Sequence, residues 1–131
     1  MDRLLFVCLG GALGSGARYL VGLFVEGQKR GGFETHHPIG TWTCNVLGSF
    51  LLGLLAAYCA TRGVPETVKL GLTTGLMGGF TTYSTFSLET FRFMQRGQWS
   101  AAIINVVFTL VVCLIASALG FYLGGGTRAE G

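Results

Sequence analysis

The chain has 131 residues, half of them hydrophobic and 11% charged, with a mean hydropathy of +0.59. Soluble domains carry roughly 25% charged residues, so this is the balance of a membrane protein, and a formal charge of +3 is too small and too dispersed for a nucleic-acid-binding surface. A spanning helix needs about 20 mostly apolar residues; the chain offers four such runs, at about 4–24, 39–60, 68–94 and 101–123, and residues 1–131 read as one all-α domain in contact with membrane lipids.

The first run follows Asp2-Arg3 and contains Gly10-Gly11-Ala12-Leu13-Gly14-Ser15-Gly16. A cleaved signal peptide would place its small residues after the apolar core, whereas here Ala17-Arg18-Tyr19 continue it. The glycines resemble a nucleotide-binding fingerprint only superficially, since no strand precedes them. Gly10 and Gly14 instead have the spacing that lets membrane helices approach closely. Arg18 is costly inside a span. It either snorkels to the interface or lends a positive potential to an aqueous vestibule.

Residues 26–38 are polar and glycine-rich, hence a loop, and the adjacent His36 and His37 lack the further ligands a metal site needs. In the second run Thr41, Asn45 and Ser49 recur every four residues and share a helix face. Asn45 is either interhelical glue or an amide donor to a bound or passing anion. Trp42 suits an interfacial aromatic belt. Cys8, Cys44, Cys59 and Cys113 all lie within runs, without a C-x-x-C pair, and read as small buried hydrophobes.

The third run carries the unusual stretch, Gly71-Leu72-Thr73-Thr74-Gly75-Leu76-Met77-Gly78-Gly79-Phe80-Thr81-Thr82-Tyr83-Ser84-Thr85-Phe86-Ser87. Glycine and threonine are poor helix formers, so the helix is weakest here. Backbone that leaves a helix inside a membrane must be buried in protein or face a watery cavity. The hydroxyls then either replace lost backbone hydrogen bonds or meet a polar ligand. Glu89 and Arg92 mark a more polar end and read as a helix-face pair. In the last run Asn105 and Thr109 share a face, and Gly120 and Gly124 repeat the close-packing spacing.

Counting from the N-terminus, one membrane side holds Arg3, Arg62, Lys69 and Arg128, and the other holds Lys29, Arg30, Arg92 and Arg96. The positive-inside rule therefore assigns no orientation, which permits insertion both ways.

Four patterns together resemble the Fluc/CrcB fluoride channels: Gly10 to Gly14 with Ala17-Arg18-Tyr19, Gly40-Thr41 with Asn45 and Gly48-Ser49-Phe50, Gly75 through Ser87, and Asn105 with Thr109. The resemblance implies a passive fluoride-selective channel in the cell (inner) membrane, built as an antiparallel dual-topology homodimer with a broken third helix and two pores. It also implies a structural sodium ion at the dimer centre, held by the backbone carbonyls of Gly78 and Thr81. By the same resemblance, Tyr83 and Phe86 are the pore rings and Asn45 the amide donor. Thr41, Thr82, Ser84, Thr85 and Thr109 would form a polar track, with Arg18 in the vestibule. The family's first ring is usually phenylalanine, and it often has an aromatic and a glycine where this chain has Asn105 and Cys113. The competing expectation is a small four-span proton-coupled exporter, which needs a titratable carboxylate deep in a span. Glu26, Glu34, Glu66 and Glu89 are expected at ends or in loops. No nucleophile–base pair points to an enzyme.

Overall fold

The computed structural model describes residues 1–26 and 38–126. The loop with His36 and His37, and Arg128 in the C-terminal tail, lie outside the described residues. Within them the chain is helical throughout: α1 (Asp2–Glu26), α2 (Ile39–Thr61), α3 (Glu66–Leu70), a π-helical segment (Gly71–Met77), α4 (Gly78–Phe80), α5 (Tyr83–Gln95) and α6 (Trp99–Leu123). Three of these, α1, α2 and α6, are long and apolar enough to cross a membrane.

The boundaries follow from local chemistry. Gly63, at φ +62°, turns the chain after α2, and Pro65 stands immediately before α3 with Glu66 in its first turn. Proline has no N–H to lose at a helix start, and its fixed φ suits one. Gly97, at φ +71°, closes α5 before α6 begins. Only glycine takes this left-handed backbone without strain.

The weak stretch divides into two different irregularities. Across 71–77 the dihedral angles stay helical at both flanks, but the hydrogen bonds lengthen, as when the Gly78 N–H reaches back to the Thr73 carbonyl. The helix then stops at Thr81 (φ −82°, ψ 159°) and Thr82 (φ −148°, ψ 107°), both extended. Thr82 starts α5 as its cap, its Oγ1 accepting the Thr85 N–H at 3.2 Å.

Glycine sets the packing. A Cβ on Gly10 would collide with the Gly71 carbonyl, one on Gly14 with the Leu76 carbonyl, and one on Gly79 with Gly11. These pairs ascend together, so α1 runs parallel to the segment 71–80. In a second seam, Gly53 meets the Ser117 carbonyl, Gly120 the Phe50 carbonyl and Gly124 the Leu54 carbonyl, making α2 parallel to α6. The spacings at Gly10/Gly14 and Gly120/Gly124 thus act as expected.

The buried apolar set is short and mostly small: Cys44, Ala57, Cys59, Met77, Phe80, Phe93, Ala102 and Ala116. Most leucines and isoleucines of α1 and α6 point outward, the inverse of a water-soluble helix pair and the arrangement a lipid solvent requires. None of the four cysteines, all among the described residues, is in a disulfide, but Cys8 is exposed and Cys113 half-buried. The expectation of four buried cysteines therefore holds only for Cys44 and Cys59, because α1 turns the Cys8 face away from the protein.

Candidate functional site

The break is held open from α2. Asn45, buried, accepts the Thr82 N–H on Oδ1 at 2.8 Å and donates from Nδ2 to the Thr82 carbonyl at 3.1 Å. One side chain thus replaces both backbone bonds that Thr82 loses on leaving the helix. One turn further along α2, Gly48 makes room, since a Cβ there would collide with the Thr81 side chain. One turn back, Thr41 donates to Glu89 Oε1 at 2.8 Å. Position 41 meets 89, 45 meets 82 and 48 meets 81, so α5 runs antiparallel to α2.

This bracing frees two carbonyls. In a continuous helix the N–H groups of Thr82 and Thr85 would bond to the carbonyls of Gly78 and Thr81. Here those donors go to Asn45 Oδ1 and Thr82 Oγ1. Gly78 is exposed, and a Cβ there would meet nothing within 4 Å. The donor set is therefore two backbone oxygens without their helical partners, the hard ligands that suit an alkali cation. It also sits in the last turn of the continuous helical run 66–80, at its negative end.

Beyond the break the hydroxyls cluster. Thr82 Oγ1 donates to Thr85 Oγ1 at 2.8 Å and lies 3.4 Å from Ser84 Oγ. Thr82 is buried, Thr85 half-buried and Ser84 exposed. Thr82 is thus engaged as a cap, while Ser84 is presented outward. The Tyr83 and Phe86 rings form a tilted pair, centroids 5.6 Å apart at 47°. Tyr83 is 80% exposed in the single chain.

Thr109 on α6 has a buried hydroxyl without a hydrogen-bond partner. Buried polar atoms are rarely left so, and such an unmet hydroxyl is chemically able to serve as a ligand group. Arg18 is half-buried on α1, away from the hydroxyl cluster's bonds, and its carbonyl lies 4.0 Å from the Cys44 thiol.

Three residues do more than the sequence alone suggests. Glu89 sits mid-way along α5, half-buried against Thr41, rather than at a helix end. The break restarts the helix at Tyr83, which moves Glu89 inward from the end of a continuous span. Trp42 turns its indole N–H inward to Asn105 Oδ1 at 2.6 Å, with its ring 4.4 Å from that of Phe108. Asn105, fully buried, donates on to Thr90 Oγ1 at 2.8 Å. The pairing of Asn105 with Trp42 was signalled only by its polarity within an apolar run.

Long apolar helices with outward-facing leucines, and an internal break satisfied by a side chain, define a multi-pass membrane protein. The family model described as CrcB-like protein, Camphor Resistance (CrcB), matches residues 5–121. A fluoride-specific ion channel FluC of Sorangium cellulosum (strain So ce56) is 48% identical over 121 residues, covering 92% of each chain. Relatives of the same name from Anaeromyxobacter sp. (strain K) and Geobacter metallireducens (strain ATCC 53774 / DSM 7210 / GS-15) are 47% and 42% identical, over 89% and 92% of this chain and 90% and 94% of their own. The chain belongs to the CrcB family.

Proposed function

We propose that this protein is a fluoride-selective passive ion channel of the cell membrane, not an enzyme. The carrying observation is the Asn45-braced break, which sets a tilted ring pair and a hydroxyl cluster side by side within an otherwise apolar helical protein. The name and extent of the relatives support the same reading.

Fluoride is small and strongly hydrated, so stripping its water requires several modest donors in sequence rather than one tight cage. Asn45 has two amide protons, and the bond to Thr82 engages one, leaving one for an anion. The hydroxyls of Ser84, Thr85 and Thr109 extend the track, and Thr41 begins it. Tyr83 and Phe86 offer positive ring edges, which attract an anion and repel cations. Arg18 raises the local anion concentration at the mouth.

The functional unit in this reading is a four-span chain paired as an antiparallel dual-topology homodimer with two pores. The exposure of Gly78 and Tyr83 in the single chain supports a partner covering that face. The carbonyls of Gly78 and Thr81 would hold a structural sodium ion, whose charge in low dielectric would draw two broken helices together.

A proton-coupled exporter is the second reading, and Glu89 supports it as a half-buried carboxylate bonded to Thr41. Reconstitution in liposomes separates the two. The channel reading expects fluoride efflux down its own gradient with chloride retained, whereas efflux that requires an imposed pH gradient would favour the exporter. Absent fluoride flux, or equal chloride flux, would overturn the channel reading. Phe86→Ile, which keeps bulk and removes the ring edge, is expected to abolish most of the flux.

A further inference from the structure

The helix after the break is held in an uneven way. α5 packs directly on α6, while α2 reaches it mainly through polar side chains. Two of those links leave α2 straight from Thr41 and Asn45. The third passes through α6: Trp42 Nε1–H donates to Asn105 Oδ1 (2.6 Å), Asn105 Nδ2–H to Thr90 Oγ1 (2.8 Å), and Thr90 Oγ1–H to the Phe86 carbonyl (2.8 Å). All three bonds point the same way, so each polarises the next. Asn105 is fully buried and Thr90 nearly so, at 6% exposed, which removes water as a competitor for either.

We infer that Asn105 is a positioning residue for the permeation path. It spans α2 and α5 from a third helix and ends its chain of bonds on the carbonyl of Phe86, the residue whose ring faces the path in the reading above. This rests on that reading for what Phe86 does, but not for the anchor itself. An amide suits the place because it offers an acceptor to the indole and, from a separate atom, a donor to the hydroxyl at once. A leucine of similar size would leave the Trp42 indole N–H unmet in a dry interior and cut Thr90 off from α2, with only its bond to the Phe86 carbonyl kept. The gap between Asn45 and the Phe86 ring is then set by α6, and a small rotation of α5 alters it without disturbing the Asn45–Thr82 brace at the other end.

The test uses the full-length protein as wild type, Asn105→Leu, Thr90→Val and the double variant. Fluoride and chloride efflux are measured from liposomes, and backbone hydrogen exchange along α5 is measured in detergent. Each single variant is expected to slow fluoride efflux about tenfold, lower the fluoride-to-chloride ratio and speed exchange at residues 86–94. The double variant should fall within about twofold of the worse single one, since both break one chain of bonds. A structural role alone would reduce the yield of folded protein and leave the ion ratio of the survivors unchanged. That result, unchanged α5 exchange, or independent effects that multiply, would overturn the inference. If Asn105→Leu does not assemble, Thr90→Val carries the same expectations. Wild-type protein without fluoride flux would overturn the channel reading instead, and the exchange of α5 would still decide the anchor.

Discussion

The molecule joins its helices in two contrasting ways. Along α1 and the segment 71–80, and again along α2 and α6, glycines bring backbone against backbone, with no space for even a methyl group. Between α2 and α5, by contrast, the contact is made through the tips of polar side chains: Thr41 to Glu89, Asn45 to Thr82, Trp42 through Asn105 to Thr90. The glycine seams gain dispersion from close approach and tolerate no change of shape. The polar bridges hold their helix at arm's length and leave hydroxyls and ring edges between. Walls are made by the first method, and a path for a polar solute needs the second.

Substitutions can sharpen or break this contrast. The largest effect is expected in a seam: Gly14→Val drives a branched side chain into the Leu76 carbonyl and should cost more than about 3 kcal/mol, read as loss of monodisperse protein in detergent. Asn45→Leu comes next. It strands the N–H and carbonyl of Thr82 in a buried site and should lower stability by about 2–3 kcal/mol, measured by thermal unfolding, with fluoride flux lost in whatever remains folded. A fully stable, conducting Asn45→Leu protein would dissolve the distinction between seam and bridge. Thr82→Ala removes the cap of α5 and should cost about 1 kcal/mol, with exchange accelerated at the Thr85 amide before any other in the helix. The smallest change is expected at the exposed Glu66–Lys69 pair, 3.9 Å apart, where Glu66→Gln should move the unfolding midpoint by an amount equivalent to no more than about 0.5 kcal/mol.

Much of this architecture is legible in the residues, for a physical reason. Apolar length marks α1, α2 and α6, and the glycine and threonine density of 71–87 locates the weak stretch because both residues disfavour helix for reasons internal to the chain. The small-residue spacings also reveal their seams. What cannot be read is the division of the weak stretch into a π-helical segment and a true break, since the same glycine and threonine density runs through both. The place of Glu89 inside its helix is hidden because the helix restarts after a break braced by Asn45, 37 positions from Thr82 in the chain. The inward bond of Trp42 is hidden as well, because an interfacial tryptophan has the same sequence surroundings whether or not it donates to a neighbouring helix. The partner of Asn105 is likewise a tertiary fact.

The π-helical segment has a consequence for how this chain can change length. A wide turn accommodates one more residue than an α-turn would, and it lies between two fixed points, Pro65 at the helix entrance and Thr82 under Asn45. Deleting a residue within 71–77 would restore an ordinary helix and improve the local hydrogen bonds. Because the wide turn already holds the surplus residue, its removal would leave Gly79 against Gly11 and Thr82 under its brace. A deletion in the ordinary helix of α5 has no such slack and would rotate everything beyond it by about 100°. The wide turn is thus where the interval from Pro65 to Thr82 has a residue to spare.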